Sequence, residues 1–208
     1  KRRIFDTFPT QNRAVTQADY ENLTYRMPAK FGSVKRVSTQ KDPNSLKRNL
    51  NMYVVSEDQY GNLTKTNQTI KNNIKTWLNQ YRMINDTIDI LDPYIINLGI
   101  DFVVKAQAGA DKYDVLNRCI NTIASKYNED FFIGEPFYIS EVYETLKNVN
   151  GVLDVVKVKL NNKVGGSYAD TILQINTNLS SDGSYLMVPN NGIVEIKYPT
   201  QDIRGKIR

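Results

Sequence analysis

Histidine is absent from this 208-residue chain. That removes His-based catalytic triads and zinc sites of the Cys/His type. Cysteine occurs once, at Cys119, so an intrachain disulfide is excluded and a reducing compartment is expected. Its setting, Val115-Leu116-Asn117-Arg118-Cys119-Ile120, reads as a helix face. With no histidine to activate the thiol, a small buried apolar residue is the reading. No apolar run reaches the roughly 18 residues of a membrane span, and no signal peptide is visible. The chain opens in polar, folded-looking text without an initiator methionine, so a piece of a longer protein is expected.

An excess of one charge is also lacking. The net charge is +5 and the pI about 9.1. The cations are scattered as Lys35-Arg36, Lys47-Arg48 and two terminal sets, Lys1-Arg2-Arg3 and Arg204-Gly205-Lys206-Ile207-Arg208. A nucleic-acid binder shows a basic stripe with interleaved aromatics instead. Phosphate cradles are missing too: there is no Gly-x-Gly-x-x-Gly and no Gly-x-x-x-x-Gly-Lys-Ser/Thr, and Gly165-Gly166-Ser167 is a lone flexible loop. Carboxylates remain, as Glu129-Asp130, Glu141 with Glu144, and Asp89 with Asp92. Glu141 and Glu144 share one helix face, which reads as a solvated face rather than an acid/base couple. Asp182-Gly183 lacks the alternating oxygens of a calcium loop. The Asn-x-Ser/Thr triplets at Asn22, Asn62, Asn67, Asn85 and Asn178 are read as products of an asparagine-rich text rather than as glycan sites.

What is present is a folded α+β text with a hydrophobic fraction of 40%. An amino-terminal arm with Ile4, Phe5 and Phe8 runs to Arg13. Thr16 reads as the N-cap of a helix that Pro28 ends. Strands are expected at Ser33–Ser38 and Leu50–Val55, separated by the turn cluster Lys41–Ser45. The spacing of Ile70, Ile74, Trp77, Leu78 and Tyr81 predicts a helix running to about Arg82, with Trp77 in the core. Thr87–Leu91 and the long Tyr94–Lys105 read as strands on either side of Asp92-Pro93. On the long strand, Ile96, Leu98, Ile100 and Phe102 form a buried face, and Asn97, Gly99 and Asp101 a partly wet one. Asp111 caps an amphipathic helix running to Tyr127.

The run from Ile133 to Val155 holds a turn, a helix and a strand without catalytic residues. Gly134 and Glu135 are read as the turn, Ser140 as the helix cap, and Gly151 as the left-handed exit into the strand from Val152 to Leu160. After Asn161, closely spaced turn signals separate strand candidates at Thr171–Ile175, Tyr185–Val188 and Ile193–Tyr198. Asn191-Gly192 reads as a hairpin turn. The expected architecture is α+β, with mixed sheets and helices packed on one face in ferredoxin-like sandwich modules, plus a β-rich carboxyl-terminal piece. The expected division is 1–30 as arm and first helix, 31–160 as core, and 161–208 as carboxyl-terminal subdomain.

Three stretches carry a family resemblance. They are Arg13-Ala14-Val15-Thr16 with Asp19-Tyr20-Glu21, then Gln80–Asp86 with Ile88–Pro93, then Ile133-Gly134-Glu135 with Ser140 and Val149-Asn150-Gly151-Val152. Their order and spacing resemble the baseplate J-like and wedge proteins of contractile-tail phages, nearest to the wedge subunit of T-even-like phages. The resemblance covers about Arg13 to Leu160, and the piece after Asn161 departs from it. It implies a structural virion protein of the tail baseplate, assembled in the host cytoplasm. The subunit would dimerise within a ring and contact other wedge and hub proteins. It implies no enzyme, no cofactor, no metal and no membrane partner. Tyr168, Tyr185 and Tyr198 are read either as candidate interface anchors or as residues packed inside their own small sheet. The alternative reading, motivated by the basic pI, is a nucleic-acid-binding α+β module.

Overall fold

A computed structural model describes residues 13–43, 45, 49–127 and 131–208. The amino-terminal arm, Lys47-Arg48 and Glu129-Asp130 lie outside the described residues. The chain divides into two compact units, Lys1–Pro93 and Tyr94–Arg208. The α+β class expected from the sequence is the one that forms.

The first unit begins with helix α1, Gln17–Tyr25. Thr16 Oγ accepts the Asp19 N–H at 3.3 Å, and the Asp19 carboxylate accepts the Thr16 N–H at 2.8 Å, closing a capping box. Strand β1 (Arg36–Lys41) pairs antiparallel with β2 (Asn49–Glu57). The other edge of β2 is shared. β4 (Thr87–Leu91) runs parallel along Asn49–Tyr53, and β3 (Leu63–Lys65) antiparallel along Val55–Glu57. Between β3 and β4 the chain forms helix α2, Gln68–Leu78. Asn67 caps it by accepting the Thr69 N–H at 3.0 Å. Tyr20 and Leu23 of α1 and Ile74 and Leu78 of α2 share a core with Met52, Val54 and Ile88 of the sheet. Trp77 is half-buried against this core, and its indole N–H donates to the Leu23 carbonyl at 2.9 Å.

The second unit is organised by β5, Tyr94–Ala106. β7 (Val152–Asn162) pairs antiparallel along one edge of it. The other edge is again shared, here by two parallel strands. β9 (Gly192–Glu195) pairs with Tyr94–Asn97, and β10 (Ile203–Ile207) pairs with Ile100–Val104. The buried face of β5 is Ile96, Leu98, Ile100, Phe102 and Val104. Helix α3 (Lys112–Lys126) and helix α4 (Ile139–Lys147) add Val115, Cys119, Ile123, Val142 and Leu146 to the same core. The segment after Asn161 supplies Leu173, Leu186, Val188, Val194, Ile196 and Ile203 to it. The remaining pieces are short: β6 (Phe137–Tyr138) pairs with β8 (Tyr185–Leu186), and α5 (Ile175–Asn178) and α6 (Pro199–Asp202) are single turns.

Four local expectations are corrected. Ser140 does not cap α4. The helix starts at Ile139 with Tyr138 at the cap position and no side-chain cap, and the Ser140 N–H donates to the Ser184 carbonyl at 3.0 Å. Pairing of β6 with β8 runs straight into the helix and fills the place a cap would take. Asn191-Gly192 is not a hairpin turn, because β9 pairs parallel with β5 and not with the strand before it. Thr171–Leu173 is irregular and Ile175 opens a helical turn, since Leu173 is held by side-chain bonds to Asn162 rather than by a ladder. Helix α2 stops at Leu78, and Tyr81 and Arg82 turn back on the Leu78 carbonyl.

Candidate interaction surface

The turn, helix and strand from Ile133 to Val155 form around two glycines. Gly134 has φ +78° and its N–H donates to the Gly192 carbonyl at 2.7 Å. A side chain there would also crowd the Asn190 backbone at 3.2 Å. Glu135 turns back to accept the Phe132 N–H at 2.8 Å. Gly151 has φ +92° and lies against Val115 of α3, where a Cβ would come within 2.7 Å of the valine methyl. Val152 then enters β7 as a buried residue. Phe137 is fully buried between Tyr127 and Phe131, with ring centroids at 5.3 and 5.6 Å. Burial, and then the Glu141 charge, push the Tyr127 phenol above its ordinary range. Burial likewise raises the Cys119 thiol, partly opposed by Arg118, which keeps it in the unreactive thiol form.

The polar face of β5 is closed at its amino-terminal half. Asn97, 1% exposed, donates to Glu195 at 2.6 Å, and its side-chain oxygen accepts the Ala169 N–H at 2.7 Å. Its carbonyl accepts the Lys163 N–H at 2.9 Å. Lys163 then lies across Gly99, where a Cβ would meet its side chain at 2.5 Å. Asp202 completes the closure. Its buried carboxylate accepts the Tyr168 hydroxyl at 2.7 Å and the Tyr198 N–H at 2.9 Å, and Lys163 Nζ stands 3.6 Å away. The rings of Tyr168 and Tyr198 meet edge to face at 5.5 Å. Buried polar groups are thus matched to one another, as their desolvation requires.

Among the described residues, no strand pairs with the edge of β7 away from β5. The Val158 N–H donates instead to the Tyr143 hydroxyl at 3.0 Å. Beside it, Ile139, Leu160, Ile172, Leu173 and Ile175 help line a groove of about 440 Å³. Two register shifts against β5 leave Leu153 and Val156 as extra residues on β7, 54% and 49% exposed.

No protein-family model matches the chain, and no curated protein sequence matches it. Among solved structures, the fold matches a chain of the anti-feeding prophage baseplate. That structure was determined by cryo-electron microscopy and six-fold symmetrised. The TM-score is 0.57 at 12% identity, over 93% of this chain and 40% of the other. The present chain therefore spans less than half the length of that neighbour, and the likeness is one of fold.

The three tyrosines singled out in the sequence fall in two places. Tyr168 and Tyr198 face each other over Asp202, inside their own unit. Tyr185 is half-buried and packs on the 44%-exposed Tyr138, with centroids at 6.0 Å. Sequence reading missed the exposed Leu153 and Val156, because bulges depend on the partner strand. It also missed Asp202, which in the sequence is only an acid two residues after a Pro-Thr pair. Among the described residues no group of three acidic or cysteine side chains is arranged to hold a metal ion, and no helix is long and apolar enough to cross a membrane.

Proposed function

We propose that the chain is a structural component of a contractile-tail baseplate, in the role of a wedge subunit that oligomerises around the tail axis. The observation that carries this is the fold match to the anti-feeding prophage baseplate over 93% of the chain. The order of the three motif stretches between Arg13 and Val152 supports it from the sequence side. The surface supports it as well. Asn97, Glu195 and Asp202 are used up in closing the polar face of β5, whereas an open strand edge, a groove of mixed apolar and polar lining and the exposed Leu153 and Val156 offer area for protein contact. In this reading Tyr185 with Tyr138 is the interface anchor among the candidate tyrosines, and Tyr168 and Tyr198 hold the surface in shape. The subunit would contact itself and other wedge and hub proteins in the virion, with no catalytic step.

The test is to delete the coding segment and image the particles made. Tails without baseplates, restored by supplying the protein, support the reading. Intact baseplates in the deletion refute it. Light scattering of the full-length protein with its wedge partners tests oligomerisation separately, and a strictly monomeric species there removes the ring-forming role.

A further inference from the structure

The carboxyl-terminal half of the same β5 face is left open, and strand alternation makes it basic. Phe102 points into the helical core, and Gly205 lies against it, where a Cβ would meet the Phe102 ring at 2.4 Å. The residues on either side therefore face the other way. Register then sets two rows across the sheet. Arg204, Asp101 and Lys159 form one, and Lys206, Val103 and Lys157 the next. These six line one shallow concavity of about 360 Å³ together with Phe102 and Gly205. Lys157, Lys159, Arg204 and Lys206 are all exposed. None of the four makes an ion pair within 4.0 Å among the described residues. Asp101, the carboxylate between them, is occupied by the Asn161 amide. Four cations thus surround one carboxylate that is already engaged.

We propose that this open face docks an acidic protein surface. Ideal strand geometry places the cations about 7 Å apart along each strand and about 10 Å apart across the sheet. That spacing suits carboxylates one helical turn apart on a partner helix, or at alternate positions on a strand. A nucleic acid is the less fitting occupant. No aromatic ring lies in the two rows to stack on a base. Charge complementarity of this kind steers encounter and fixes orientation more than it adds affinity. The proposal goes beyond the baseplate reading and does not depend on it, because binding to the face is measured without any particle.

The experiment uses the full-length protein and a fluorescein-labelled oligoglutamate peptide, followed by fluorescence anisotropy at low and high salt. Single-stranded and duplex DNA oligonucleotides of similar charge are the comparison probes. K157E/K159E reverses two cations on the face, and K65E/K112E reverses two exposed lysines that are not in it. The expected result is oligoglutamate binding that weakens with salt, falls about tenfold or more in K157E/K159E, and changes less than about twofold in K65E/K112E. Circular dichroism checks folding, and K157Q/K159Q replaces the reversal variant if that one unfolds. Equal losses in both pairs, absence of binding by the unaltered protein at low salt, or tighter binding of DNA through the same lysines would each overturn the proposal.

Discussion

Asp202→Asn tests whether the closure over β5 is held by charge or only by shape. The Asp202 side chain has no solvent exposure, and it accepts from the Tyr168 hydroxyl and the Tyr198 N–H at 2.7 and 2.9 Å. Asparagine keeps the shape and removes the charge. Hydrogen bonds to a charged group contribute about 1.5–3 kcal/mol, against about 0.5–1.5 kcal/mol for neutral ones. Asparagine keeps one acceptor oxygen for the Tyr198 N–H, and its NH2 only donates, so the Tyr168 hydroxyl must turn to accept from it; exchanging two charge-assisted bonds for two neutral ones in this way costs about 2 kcal/mol. Loss of the Lys163 partner at 3.6 Å adds at most about 1 kcal/mol, because the lysine side chain is still 22% exposed. Tyr168→Phe removes one of the two bonds and costs about 1–2 kcal/mol. In the double variant the two effects should fall short of their sum by about 1 kcal/mol, since they share a bond. Urea unfolding followed by circular dichroism measures all three variants. Tyrosinate absorbance supplies an independent reading. Burial first, then the Asp202 hydrogen bond and charge, push the Tyr168 phenol up to about 12. The folded phenol keeps its proton where the unfolded chain, near its ordinary value of 10, loses it. Its contribution to stability is therefore complete below pH 10 and lost between pH 10 and about 12. Tyr127 also titrates late, so the Tyr168 titration is identified by its loss in Tyr168→Phe, and in Asp202→Asn it should move back toward 10. Additive free energies, or a Tyr168 titration unchanged by the variant, would refute the account.

Thr16→Ala should cost about 1 kcal/mol through its capping box, while Ser140→Ala should stay within about 0.5 kcal/mol, and paired urea melts distinguish them. Gly151→Ala should cost about 3 kcal/mol, from a left-handed backbone and from crowding against Val115, read in the same way. Phe137→Ala should cost about 3–5 kcal/mol by leaving a cavity between Tyr127 and Phe131, and a shift in thermal midpoint with unchanged far-ultraviolet dichroism at low temperature would show it.

What the sequence disclosed was local. The Thr16 cap, the Asp111 cap and the apolar stripe of α3 are signals carried within one turn or a few, and each appears where it was read. Gly151 was legible for the same reason, because a positive φ after a helix leaves glycine as its trace. Two of the misreadings involve partners distant in the chain. Ser140 has the chemistry of a cap, but the Ser184 carbonyl that fixes its backbone comes from the residue just before β8, far along the chain. Asn191-Gly192 has the chemistry of a hairpin turn, but the strand it leads into pairs with β5 instead. The polar residues of β5 were recognised as one face. Their two fates were not visible, because the closing groups Lys163, Tyr168, Glu195 and Asp202 arrive from later places in the chain.

Those two fates bear on function. In the closed half each buried polar group meets a complement: Asn97 meets Glu195, and Asp202 meets Tyr168 and the Tyr198 N–H. In the open half the chain places like charges at alternate positions on β7 and on β10, and the one carboxylate among them, Asp101, is engaged by the Asn161 amide. A solvated sheet face is satisfied equally well by mixed charges. A face whose task is to meet an acidic neighbour is not, because each added carboxylate on the near side would weaken the contact. The scattered cations of the sequence are thus drawn together by strand register, with Arg204 and Lys206 on one side of β5 and Lys157 and Lys159 on the other. The same strand that anchors the core through Phe102 also fixes the spacing of that charge.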